Sequence, residues 1–301
     1  MKNKLSMFLS FLLVMAFVSC ENSDFRQLVN DEDILTIVDD EIISLKTQDE
    51  FDGDAEASYA MGHKMGFGAD RGENGRFSDC ASITVSSDDF PKEITIDYGE
   101  GCVGKHGDLK TGIIVISMSD TMLNAGAVHE VVFYDVMIGD KSIERTKTMT
   151  NMGLNADGNW VLEGASTSTV TYEDGSSSSR ESTQSKEWLS GFGTEEREDN
   201  VILISGSGSL VNSEGLEFSR SITVPLLVDR SCRYIKSGTI LLEKDGEETI
   251  IDFGDGECDQ WATVTKDGET KEVDLSKIIE TEDETDLAGE LACAGDNCEI
   301  K

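Results

Sequence analysis

Between residues 79 and 277 the chain is a succession of short apolar runs broken by glycine-containing turn pairs. Val131-Val132-Phe133-Tyr134-Asp135-Val136-Met137-Ile138, Val201-Ile202-Leu203-Ile204 and Ser221-Ile222-Thr223-Val224 have the β-branched and aromatic make-up of strands. The breaks are Gly139-Asp140, Asp157-Gly158, Asp174-Gly175, Glu214-Gly215, Asp245-Gly246 and Asp267-Gly268. Such pairs supply the positive backbone angles of tight hairpins. The pattern predicts an all-β fold, an antiparallel meander of repeated hairpins arranged as one elongated sheet or a sandwich. One stretch has a different period. Ile34, Leu35, Val38, Ile42 and Leu45 fall on one helical face, which predicts a short amphipathic helix over 31–48 that covers an edge or end of the sheet. Residues 50–78, rich in glycine and polar side chains, read as a linker, and the acidic stretch 280–301 as a tail.

Two hairpins repeat each other. Cys80 is followed by Ile83-Thr84-Val85 and then by Ile94-Thr95-Ile96-Asp97-Tyr98-Gly99-Glu100-Gly101-Cys102. Cys232 is followed by Thr239-Ile240-Leu241 and then by Thr249-Ile250-Ile251-Asp252-Phe253-Gly254-Asp255-Gly256-Glu257-Cys258. In each copy a hairpin folds the second cysteine back towards the first. The expected disulfides are therefore Cys80–Cys102 and Cys232–Cys258, with Cys293–Cys298 closing a small loop in the tail. Metal ligation is the competing reading, and no histidine flanks these cysteines at zinc-like spacing.

The N-terminus sets the compartment. Lys2 and Lys4 precede an apolar stretch from Leu5 to Val18, then Ser19-Cys20, and the chain turns polar at Glu21. The stretch is too short to span a bilayer and has the flanks of an export signal. A small residue directly before a cysteine resembles a bacterial lipobox, so Cys20 is the expected lipidation site. The organisation that follows is a signal peptide over 1–19, a tether with the helix over 20–78, a β domain over 79–277 and an acidic tail over 278–301. Even cysteine pairing fits an oxidising envelope.

The chain has 60 acidic and 25 basic residues, a formal net charge of -35. Loss of residues 1–19 removes Lys2 and Lys4 and no acid, taking the charge to -37. This disfavours nucleic acid and anionic membrane surfaces as partners, because like charges repel. Arg145, Arg180 and Arg220 each follow a turn, which suggests either a basic row across the sheet or cross-strand partners for carboxylates.

Candidate chemistry is sparse. Gly99-Glu100-Gly101-Cys102-Val103-Gly104-Lys105-His106 approaches a phosphate-binding loop, but His106 replaces the hydroxyl that would hold magnesium. His129-Glu130 opens a zinc-helix motif that Phe133 fails to complete. His63 is the third histidine, and no nucleophile motif accompanies any of the three. Asp97, Glu100, Asp252 and Asp255 are weak calcium candidates, or side chains capping a hairpin stop. Trp160, Trp188 and Trp261 have the chemistry to stack on sugars, or to fill a core.

The lipobox-like start, the paired Ile-Asp-Tyr/Phe-Gly-acid-Gly…Cys copies and Val228-Asp229-Arg230-Ser231-Cys232 resemble uncharacterised lipoproteins of Bacteroidetes-type bacteria over residues 79–276. The resemblance implies an envelope location and an all-β fold, and it carries no activity. The expectation is a lipid-anchored outer-membrane protein with a non-enzymatic binding or structural role and no cofactor. Its partner would be an envelope protein or a glycan. A glycan-binding module and a hydrolase are the alternatives.

Overall fold

The computed structural model describes residues 81–103, 109–194 and 197–276, together with Glu41, Ile42, Ser44, Leu45 and Phe51. The fold is all-β. Its strands are β1 (Ser82–Val85), β2 (Lys92–Asp97), β3 (Cys102–Val103), β4 (Leu109–Met118), β5 (Val128–Ile138), β6 (Lys141–Leu154) and β7 (Trp160–Thr171). They continue as β8 (Ser177–Ser190), β9 (Val201–Val211), β10 (Glu217–Asp229), β11 (Ser237–Lys244), β12 (Glu247–Asp255), β13 (Trp261–Lys266) and β14 (Glu269–Asp274). All 14 lie in one open antiparallel sheet in sequence order, with the short β3 beside β4. The meander is a single sheet, not a sandwich, and every neighbouring pair is antiparallel because each connection is a simple reversal.

The turn pairs fall between strands as their chemistry requires. At the β11–β12 reversal Asp245 has φ 54° and Gly246 φ 87°, the two positive angles of a tight hairpin turn. The duplication is present in the register too. Ile83 pairs with Ile96 in the first copy, and Ile240 with Ile251 in the second. In each copy the next strand joins on the same side, Ile96 meeting Ile114 and Ile251 meeting Val264. One copy forms an edge of the sheet, and the other lies two strands from the opposite edge.

Cys232 and Cys258 are joined as expected, with Cα atoms 5.8 Å apart. The bond ties the connection after β10 to the one after β12. Beside it Gly256 N–H donates to the Lys236 carbonyl over 2.9 Å. Cys102 is also disulfide-bonded. Its expected partner Cys80 lies outside the described residues, as do Cys20, Cys293, Cys298, His63, His106, most of the linker and the tail.

Side-chain alternation divides the sheet into two unlike faces. One face is polar; a typical cross-strand row on it is Thr146, Thr167, Glu181 and Ser209. The other is buried and holds two apolar clusters. Ile94, Ile96, Ile114, Ile116 and Phe133 pack at the β2–β5 end, and Leu210, Phe218, Leu226, Ile240 and Ile251 at the β9–β12 end. A smaller cluster, Met149, Leu162, Trp188 and Ile202, lies between them at one end of the central strands. The longer connections 119–127, 191–200 and 230–236 all lie at that same strand end, while 139–140, 245–246 and 267–268 are tight turns at the other.

Replacing Cys232 and Cys258 together by serine releases a constraint across a sequence separation of 26. The expected loss is about 3–4 kcal/mol by the loop-entropy relation. Thermal or denaturant unfolding measures it, and an unchanged midpoint would show that the staple does not restrain the unfolded chain.

Candidate functional site

The buried face is cationic in its middle. Lys147 on β6, Ser166 on β7, Ser182 on β8, Gly208 on β9 and Arg220 on β10 stand opposite one another in one row. The next row runs Arg145, Ser168, Arg180, Leu210 and Phe218. Lys92, Lys110 and Lys186 share the face, and all of these lysines and arginines are buried. Arg145 and Arg180 therefore share one row and Arg220 stands in the next, so the three arginines line the same face without forming a single row. Between the arginines the floor is built of glycine and serine. A Cβ on Gly208 would come within 2.2 Å of the Glu181 carbonyl oxygen, so no larger residue fits there. Small residues leave depth for another element to approach.

That element carries Glu41. Glu41, Ile42, Ser44 and Leu45 have helical backbone, and they are the described part of the helix predicted over 31–48. Glu41 is 0% exposed. Its Oε1 accepts from Arg220 Nε over 2.7 Å, and its Oε2 accepts from Arg180 Nη2. Arg180 Nη1 also donates to Ser44 Oγ. Ile42 and Leu45 pack into the β9–β12 cluster. Phe51 packs into the β2–β5 cluster at the far side, its ring centroid 4.8 Å from that of Phe133. Ile42 and Leu45 thus reach one cluster and Phe51 the other.

Three sequence expectations change here. The described helical residues sit over the middle of the face, not an edge or end, because the arginines and the floor of small residues lie there. Phe51, read as the start of a linker, is core. The carboxylate partner of Arg180 and Arg220 comes from this element and not from a neighbouring strand. Burial pushes the Arg220 guanidinium down to about 10, so it stays charged at neutral pH. Glu41 itself passed unnoticed in the sequence. It stands three residues after Val38 and four before Leu45, on the apolar side of the predicted helix, where an acid calls for a buried cation.

Two of the four calcium candidates, Asp97 and Asp252, are engaged with the backbone of their own turns. Asp97 Oδ1 accepts from Gly99 N–H and Asp252 Oδ1 from Gly254 N–H, each over 2.8 Å. Asp252 Oδ2 also accepts from Thr239 Oγ1 over 3.2 Å. Glu100 and Asp255 are exposed beside these turns. Among the described residues no three metal-ligating side chains converge. His129 and Glu130 lie on strand β5, on opposite faces, with His129 buried and Glu130 exposed, so no zinc helix forms. Trp160 and Trp188 pack against Phe192, with centroids 5.1 and 5.2 Å from its ring. Trp261 is the exposed tryptophan of the three.

The long-connection end has its own character. Leu123, Met152, Leu154 and Leu189 are 45%, 55%, 58% and 43% exposed there. The register divides them: Leu154 shares a cross-strand row with Trp160 and Trp188, while Leu189, the residue after Trp188, alternates to the other face. The 119–127 connection folds onto the same place, with Asn151 Nδ2 donating to the Met122 carbonyl. Two hydrogen-bonded carboxylates lie at the same strand end. Glu187 Oε1 accepts from Asn159 Nδ2 over 2.7 Å and from Asn155 Nδ2 over 2.8 Å. These bonds, that of Asn159 first, hold the Glu187 carboxyl below the usual glutamate range. Asp120 is lowered likewise by Asn124 and by the Thr121 N–H.

Neither a family model, nor a curated protein, nor a solved structure matches the chain.

Glu41→Gln leaves two buried guanidinium groups without their carboxylate. The expected cost is about 3–5 kcal/mol, read as a lower denaturant midpoint. Replacing Glu41, Arg180 and Arg220 together by apolar residues of similar size should restore or exceed the native stability, by the same balance of desolvation against attraction. For Glu187 the sign follows from a folded pKa below the unfolded one. Its hold on the 155–159 turn is present above the ordinary glutamate pKa and is lost as pH falls through the lowered folded value. A carbon-detected NMR titration should place Glu187 below ordinary glutamates, and Asn155→Ala with Asn159→Ala should bring it back.

Proposed function

We propose that the protein is a lipid-anchored protein of the bacterial outer membrane with a non-enzymatic binding role. Cys20 would be the lipidated residue, and the long-connection end of the sheet the contact surface. One observation supports this most. The buried face of the sheet is met by the chain's own Glu41 element, while one strand end carries the long connections 119–127, 191–200 and 230–236, the last of them tied by Cys232–Cys258. Long connections on a stiff sheet are where recognition concentrates. The resemblance to Bacteroidetes-type lipoproteins points the same way.

A glycan-binding role is the second reading, and Trp261 at the start of β13 favours it, being 41% exposed. A Trp261→Ala variant tests it in a soluble-glycan screen.

The anchor is tested by feeding an alkynyl fatty acid to cells that make the protein. Incorporation is expected in the wild type and absent in Cys20→Ser, with the variant moving to the soluble fraction. Equal labelling of the two would remove the anchor assignment. Protease treatment of intact cells then distinguishes a surface location from a periplasmic one.

A further inference from the structure

The outer face of the sheet is polar over its central strands and turns apolar over β3, β4 and β5. There the register sets side chains directly opposite one another. Val115 faces Val132, Ile113 faces Tyr134 and Thr111 faces Met137, while on the other side of β4 Leu109 faces Val103. Directly opposed side chains stand about 5 Å apart at Cβ. Leu109, Thr111, Ile113 and Val115 alternate to one face, so the strip is continuous along β4. Val103, Leu109, Tyr134 and Met137 are 58%, 49%, 52% and 38% exposed. Contiguous exposed apolar groups mark interaction sites, whereas scattered ones do not.

A β-bulge sets the place of Tyr134. The β5–β6 register shifts between Val132 and Val136, and Asp135 takes φ 51°, a left-handed angle for a residue with a Cβ. Gly112 lies against it, and a Cβ there would come within 2.2 Å of the Asp135 carbonyl oxygen. The bulge is therefore fixed from both strands, and bulges re-aim side chains beside functional sites. A second bulge, on β10 against Gly238, has Thr239 and Ser237 opposite it where the first has Ile113 and Thr111. Bending the sheet thus does not by itself require an apolar strip.

Charge on this face has one sign. On β2, β4, β5 and β6 the charged side chains outside the buried face are Glu93, Asp97, Glu130, Asp135 and Glu144. The lysines and arginines of the same strands, Lys92, Lys110, Lys141, Arg145 and Lys147, alternate to the other face. Asp97 stands in the row of Ile113 and Tyr134, and Glu144 lies on the stretch of β6 opposite the bulge. Carboxylates beside an apolar strip repel anionic lipid and favour a partner that brings cations, and the net charge of -35 steers the same partners inward.

We propose that the outer face of β3, β4 and β5 binds a segment of a partner protein that carries apolar side chains between lysines or arginines. Its apolar groups lie on Val103, Leu109, Tyr134 and Met137, and its cations meet Asp97, Asp135 and Glu144. Tyrosine and methionine suit the task, one as a large body with a polar tip and the other as an adaptable contact. The strip runs towards the 139–140 turn, at the other strand end from the long connections. It is a second contact surface beyond the reading above, and its test depends on neither Cys20 nor Trp261.

The probe is a fluorescent leucine–lysine peptide, titrated into the purified full chain and followed by anisotropy, with a serine–lysine peptide of equal charge as control. The leucine–lysine peptide should bind about tenfold more tightly. Tyr134→Ser with Met137→Ser should weaken it by about tenfold, the loss expected from removing interface anchors. Both side chains are exposed, so the melting temperature should hold; Leu109→Ser alone reads the same surface from the neighbouring strand. Asp135→Asn with Glu144→Gln should also weaken it, since asparagine keeps the left-handed backbone and only the charge is lost. Val224→Ser, at the second bulge, should leave binding unchanged. Equal binding of the two peptides, unchanged binding in the Tyr134 and Leu109 variants, or an equal loss in Val224→Ser would overturn the proposal. So would a preference for phosphatidylglycerol vesicles over the peptide. Self-association of the chain that Tyr134→Ser with Met137→Ser abolishes would assign the strip to a second copy and overturn it as well.

Discussion

The carboxylate of Glu41 between Arg180 and Arg220 is the constraint around which the molecule is arranged. Two guanidinium groups on strands separated by a third need a shared anion to be buried at all. A sheet of this size has two faces, and only one can be left to water. The cations on the other must be answered from within the chain. Glu41 answers two of them, and the same element carries Ile42 and Leu45 into one apolar cluster. Phe51 enters the other. An ion triad of this kind contributes little net stability, since its desolvation offsets its attraction. Its contribution is register: the element seats where the arginines are and nowhere else on the face.

The central strands are built for that seat. Glycine and serine at Gly164, Ser166, Ser168, Ser182 and Gly208 lower the floor between the arginines. Larger β-branched residues return on both sides, where the apolar clusters form. The polar outer face is left with threonine, serine and glutamate, which suit a solvated sheet surface. The long connections 119–127, 191–200 and 230–236 gather at one end of these strands.

Much of the fold was legible in the chain because the signals involved are local. Strand-like runs, turn pairs such as Asp245-Gly246 and the repeated cysteine hairpin each depend on neighbours a few residues away. The Cys232–Cys258 bond followed from duplication, since two similar hairpins imply similar pairings. The calcium candidates show the limit of such reading. Asp97 and Asp252 carry the same carboxylate whether it meets a cation or a backbone N–H, and the fold supplied the N–H of Gly99 and Gly254. Trp160 and Trp188 were equally ambiguous until Phe192 was placed beside them.

What the sequence determined by itself is the meander, the disposition of its turns and the staple of its second copy, because backbone angles and hairpin geometry are set within short segments. Which face is buried, where the helical residues sit and which carboxylate meets Arg180 and Arg220 were decided only in three dimensions. Glu41 lies 139 residues before Arg180 and 179 before Arg220. No local pattern joins positions so far apart. The sheet first has to stack β8, β9 and β10 before the two arginines share one site, and only then does a single acid on an apolar helical face acquire a meaning.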